Sequence, residues 1–165
     1  IILSRFFNLF LILFLSFQIF SSTNSVLVGD LTKDELFLKD QKFYKNYLSA
    51  EPYQLNEVPD IDGISVKILF GTWCHDSQRE IPKLLKLLES IGMQSEMISL
   101  IGLNYNKNEP LNRGEIFEIR RTPTIIFYKN AIEVGRIEET PKLMLEGVGF
   151  VPVSLEENLL FILNS

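Results

Sequence analysis

The sequence predicts an α/β domain built on a mixed β-sheet, and three observations carry that expectation. Ile64–Phe70 is a β-rich run bounded by Gly63 and Gly71, which reads as a central strand. Ile81, Leu84, Leu85, Leu88 and Ile91 then recur at helical spacing, and Met97–Leu103 is a second strand, so residues 64–103 form a β–α–β crossover with parallel strands. Thr124–Tyr128 and Ile132–Glu138 flank the turn Lys129-Asn130-Ala131 and read as an antiparallel hairpin. With 165 residues and 46% apolar content, the chain suits one domain with a real core.

Composition narrows the function. The net charge is −5, from 21 acidic and 16 basic residues, which does not suggest a nucleic-acid binder. A single cysteine excludes an internal disulfide framework. One Cys and one His, adjacent at 74 and 75, fall short of the usual ligand set of a metal, so no metal and no cofactor are expected.

In chain order, residues 1–25 differ from the rest. Arg5 is their one charge, Phe6–Phe20 is apolar apart from Asn8, Ser16 and Gln18, and Ser21-Ser22-Thr23-Asn24-Ser25 is small and polar. This is the pattern of a signal peptide, which places the protein outside the cytoplasm, periplasmic or secreted. The apolar run is shorter than the ~20 residues of a spanning helix, and an uncleaved anchor is the alternative, the one case in which a membrane becomes a partner.

Residues 26–60 read as an N-terminal helical extension and connector ahead of the domain at 61–165. Thr32-Lys33-Asp34-Glu35 has the form of a capping box, and Leu36, Phe37, Phe43, Tyr44, Tyr47 and Leu48 make a helical face running to Leu48. Pro52, Pro59 and Gly63 mark the connector. Within the domain, Gly92 ends the helix that follows the first strand, and Pro82 inside it is expected to kink it. Lys83, Lys86 and Glu89 are expected to point outward from that helix. Asn104–Arg113 is a polar loop and Gly114–Arg120 a short helix. Ala131 at the hairpin tip, where glycine would suit a tight turn, points to a longer turn, and Gly135 marks a bulge. Pro141–Val153 reads as irregular, and Ser154-Leu155-Glu156-Glu157 opens a final helix with Leu155, Leu159 and Ile162 inward.

The chemistry gathers where the first strand breaks at Gly71. Trp73-Cys74-His75-Asp76-Ser77 follows, just where a helix begins. A thiol at a helix N-terminus meets free N–H groups and the positive end of the helix dipole, both of which favour a thiolate nucleophile. The same cysteine also suits a small buried hydrophobe.

This segment resembles the active-site segment of the thioredoxin superfamily, in which a strand runs into a Trp-Cys-x-x-Cys turn and a long helix. Here Ser77 stands at the second cysteine, Pro82 lies eight residues after Cys74, and Arg121-Thr122-Pro123-Thr124 with Ile125–Asn130 is similar to the family's cis-proline loop and next strand. The resemblance covers roughly residues 61–163. It implies a thioredoxin-like three-layer sandwich, with a central mixed β-sheet flanked by helices and the N-terminal helical extension added. It also implies a cis bond at Thr122-Pro123, a loop facing the thiol, and pairing of the Thr122 backbone with an extended substrate. Thioredoxins proper carry a buried acid six residues before the first cysteine; here that position is Ile68.

Each residue of the motif carries two readings. Serine at 77 cannot resolve a mixed disulfide, so a Cys-x-x-Ser site needs an outside thiol; its hydroxyl either bonds the thiolate or caps the helix as the start of Ser77-Gln78-Arg79-Glu80. His75 either supports the thiolate and moves protons or is an exposed loop side chain. Asp76 opposes the thiolate or sits in the first helical turn, where acids are favoured. Arg120 and Arg121 attract acidic partners or are solvated.

The function these readings imply is thiol–disulfide exchange by an exported protein. Cys74 is the nucleophile, Ser77 its stabiliser, Trp73, His75 and Asp76 its flanks, and Thr122 and Pro123 the substrate edge. The expected partner is a thiol- or disulfide-containing protein or a small thiol. The alternatives are a non-catalytic binding or adaptor module using the same groove, and a glutathione-using monothiol glutaredoxin-like protein.

Overall fold

The computed structural model describes residues 26–53 and 58–164; the expected signal peptide or anchor at 1–25 lies outside them. Among the described residues, no helix is long and apolar enough to cross a membrane. The chain builds β1 (Gly29–Leu31), α1 (Lys33–Lys39), α2 (Gln41–Ser49), β2 (Ile64–Phe70), α3 (His75–Ser90) and β3 (Ile98–Gly102). It continues with α4 (Arg113–Ile116), β4 (Thr124–Lys129), β5 (Ile132–Glu138), β6 (Lys142–Leu145), β7 (Gly149–Pro152) and α5 (Leu155–Leu163). The expected mixed sheet is present, ordered β1-β3-β2-β4-β5, and β6 and β7 form a separate hairpin. β2 and β3 are parallel, as the crossover requires, while β4 is antiparallel to β2 and β5 to β4.

Alternation along β2 divides the core. Ile64, Val66, Ile68 and Phe70 point to one face, where Leu36, Phe43, Leu84, Leu88, Leu159 and Ile162 bury them. Leu69 points the other way, joined by Ile101, Leu103 and Ile126 under Ile119 and Phe117. The layers are unequal, since the second face is covered by one helical turn, α4, and the chain that follows it. Lys67, on that thinner side, lays its amine 4.9 Å from the Tyr128 ring centroid.

The N-terminal helical extension differs in detail from the sequence reading. Residues 33–49 form two helices, broken at Asp40, whose carboxylate caps α2 by accepting from the Lys42 amide. The Thr32–Glu35 capping box is present and opens α1. β1, which the sequence pattern did not reveal, pairs antiparallel with β3 and closes that edge of the sheet. α2 packs on α3, which explains why α3 is buried well beyond its sheet-facing stripe: Leu87 is covered as fully as Leu84. Glu89 is exposed as expected, whereas Lys86 is half-buried against the end of α2. Lys86 donates to the Ala50 carbonyl, and Glu89 accepts from Tyr47 and Lys33.

Pro82 is tolerated inside α3 because its missing N–H is compensated. The carbonyl it would have served is that of Gln78, and Asn46 of α2 donates to it from its side-chain amide at 2.7 Å. α3 ends as expected, with Gly92 at φ +87° and the Met93 amide reaching back to Leu88.

Two further expectations are corrected. The β4–β5 turn is tight, because Lys129 pairs with Ile132 and both Asn130 and Ala131 adopt positive φ. Ala131 bears that conformation at φ 66° without glycine's freedom. Pro141–Val153 is not irregular: β6 and β7 occupy it, with Gly147 in the turn and Gly149 opening β7, both at positive φ. The register shift between β4 and β5 falls at Phe127/Tyr128, where Gly135 faces Phe127. A Cβ on Gly135 would lie 2.9 Å from Ile162, so the glycine also lets α5 pack close against β5. α5 has its expected capping box and buries Leu155, Leu159 and Ile162.

Candidate functional site

Register brings the site together. Leu69 of β2 pairs with Thr124 of β4, so the chain leaving β2 toward Cys74 lies beside the chain entering β4 from Thr122 and Pro123. The site thus lies at the C-terminal ends of the parallel strands β2 and β3, where α/β sheets open their crevices, beside the N-terminal end of the antiparallel β4. The Thr122–Pro123 peptide bond is cis. The Cys74 thiol donates to the Thr122 carbonyl at 3.1 Å, across 48 residues of sequence.

The turn between β2 and α3 is fixed from several sides. Gly71 is required by close approach, since a Cβ there would lie 2.4 Å from the Trp73 indole. That indole donates from Nε1 to the Leu103 carbonyl at 3.1 Å, tying the turn to the end of β3. Its ring lies 5.1 Å from that of Tyr105, which the sequence did not single out. The Gln78 side-chain amide donates to the Thr72 carbonyl, and the Thr72 hydroxyl accepts from the Leu27 amide, so the N-terminal segment braces the same turn.

Cys74 is itself the N-cap of α3, extended at φ −87° and ψ 124°, and no side chain caps the first turn. The amide N–H groups at the helix start are thus left for whatever charge develops on sulfur. The thiol is half-buried and free of any disulfide. Its bond to Thr122 ties the thiol to the loop that carries the cis peptide bond.

The other expected residues divide. Ser77 is not the cap, because the helix begins two residues earlier; it is the third residue of α3 and is 0% exposed. Among the described residues its Oγ has no hydrogen-bond partner, Cys74 included. His75 is exposed at the first helical position. Asp76 sits in the first turn and pairs with Arg79 at 2.6 Å. Arg79 is held further toward its charged form by hydrogen bonds to Glu80 and then Asp76, against the cost of partial burial. Arg121 pairs with Glu139 at 2.6 Å, while Arg120 makes no ion pair among the described residues. An open cleft over the thiol is lined by Trp73, Cys74, Tyr105, Lys107, Arg120 and Thr122, with Asp76, Arg121, Glu138 and Glu139 around it. Within the described residues, no three His, Cys, Asp or Glu side chains stand together to hold a metal ion.

No family model and no curated protein matches the chain. Among solved structures, the chain is similar to a thioredoxin of Fasciola hepatica at 22% sequence identity, with 47% of this chain and 69% of that chain covered and a TM-score of 0.36.

Proposed function

We propose that the chain is a thioredoxin-fold protein that exchanges disulfides through one thiol, acting outside the cytoplasm on proteins or small thiols. The observation that carries this reading is the thiol of Cys74 at the open start of α3, 3.1 Å from the Thr122 carbonyl. The step balances with a single cysteine. The Cys74 thiolate attacks one sulfur of a substrate disulfide, that S–S bond breaks, a Cys74–substrate disulfide forms, and the departing thiolate takes a proton. An external thiol then attacks the mixed disulfide and releases Cys74, leaving the substrate disulfide-bonded to that thiol. Ser77 cannot replace this second thiol, so the mixed disulfide persists until one arrives. Trp73 and the first turn of α3 position the sulfur. The Thr122 amide N–H, without a partner among the described residues, is available to an extended substrate.

The test is intact mass. After incubation with oxidised glutathione, the wild-type chain is expected to gain one glutathionyl group, lost on adding dithiothreitol, and Cys74→Ser to gain none. A folded wild-type chain that forms no adduct points instead to a binding module that uses the same cleft without redox turnover.

A further inference from the structure

Three acids and three bases line the cleft over Cys74, and their ion pairs show which charges are already used. Asp76 is engaged by Arg79, and Arg121 by Glu139. Glu138 forms no ion pair among the described residues, since the nearby Arg136 bonds Glu133, so one acid stays unpaired against two bases. Lys107 and Arg120 also line the cleft, and neither forms an ion pair with any described residue. Glu115 and Glu118 border the hollow behind them without pairing with either cation. Both cations thus border the cleft that a substrate sulfur must enter to reach Cys74.

We infer that the cleft prefers peptides carrying an acidic side chain next to the reacting half-cystine, with Lys107 and Arg120 receiving the carboxylates. This deepens the exchange reading and rests on it. The chain as a whole is anionic at −5, so its long-range field works against acidic peptides. A preference for them must come from these two side chains at short range. Exposed pairs are individually weak and screened by salt, so two of them are expected to change the rate about fivefold at low ionic strength.

The experiment uses three short peptides of equal length, each with one cysteine held as its mixed disulfide with thionitrobenzoate. The flanking residues are acidic, neutral or basic. Cys74 attacks the peptide sulfur, the peptide becomes bonded to Cys74, and the coloured thionitrobenzoate leaves. The full chain is expected to react about fivefold faster with the acidic than with the neutral peptide at low salt, with the ratio collapsing at high salt. Lys107→Glu with Arg120→Glu is expected to reverse the order, and Lys107→Gln with Arg120→Gln to abolish it. Equal rates, or a faster basic peptide, would overturn the acidic preference while leaving disulfide exchange standing. No release from any peptide would overturn both, since a thiol that exchanges with none of them selects none.

Discussion

Ser77 combines full burial with a hydroxyl that bonds nothing among the described residues. Desolvating a hydroxyl without a partner costs free energy, so Ser77→Ala is expected to raise stability by about 1 kcal/mol in urea unfolding. A loss of stability would mean that the hydroxyl is satisfied in the folded protein. The same variant separates two roles, because slower exchange at unchanged fold would assign the hydroxyl to the thiolate. Ala131 offers a simpler case. Its φ of 66° strains a residue with a Cβ, and Ala131→Gly is expected to add about 1 kcal/mol. Cys74 was legible because a strand, a glycine and a helix pattern meet there. The place of Ser77 was not, because Ser-x-x-Glu fits a cap equally well if the helix starts three residues later. Only the actual helix start, with Cys74 as the cap, decides between them.

α3 shows what sequence periodicity leaves out. Its sheet-facing stripe was readable, but the cover that α2 lays over Leu87 and Lys86 depends on tertiary docking. The same docking supplies the donor for the Gln78 carbonyl that Pro82 strands. Asn46→Ala is expected to cost about 1 kcal/mol, whereas Pro82→Ala, which restores an N–H to that carbonyl, should make the Asn46 change nearly silent. A double-mutant cycle in urea unfolding reads this coupling, and additive costs would refute it. β1 was missed because three residues carry no alternation to detect, and β6–β7 because Pro141 and the glycines at 147 and 149 look like breakers. Gly147 lies in the turn and Gly149 opens β7.

The molecule holds its site end through long-range ties from the N-terminal segment. Asp30 of β1 and Glu109 of the loop before α4 both bond Arg113, and the Leu27 amide reaches Thr72 beside the thiol. The Arg113 guanidinium donating to Glu109 draws its carboxyl down to about 2, outweighing the opposing effect of burial. Its folded value lies below its unfolded one, so this contribution to stability is complete above about pH 4.3 and is lost as pH falls toward 2. Glu109→Gln is expected to flatten the decline of stability across that window, and an unchanged decline would contradict the assignment. No charge pattern in the sequence singles out Glu109 and Arg113, because their burial is created by the loop fold.

The proposed exchange requires a fold that activates Cys74 rather than merely carrying it. The most direct measurement is the rate of its reaction with a small aromatic disulfide, in the folded chain and in the chain unfolded by guanidinium at the same pH. A free small thiol measured in both solvents corrects for the denaturant. The open helix start and the exposed cleft predict a faster reaction in the folded chain. A slower reaction on folding would contradict the account and make Cys74 a packed side chain.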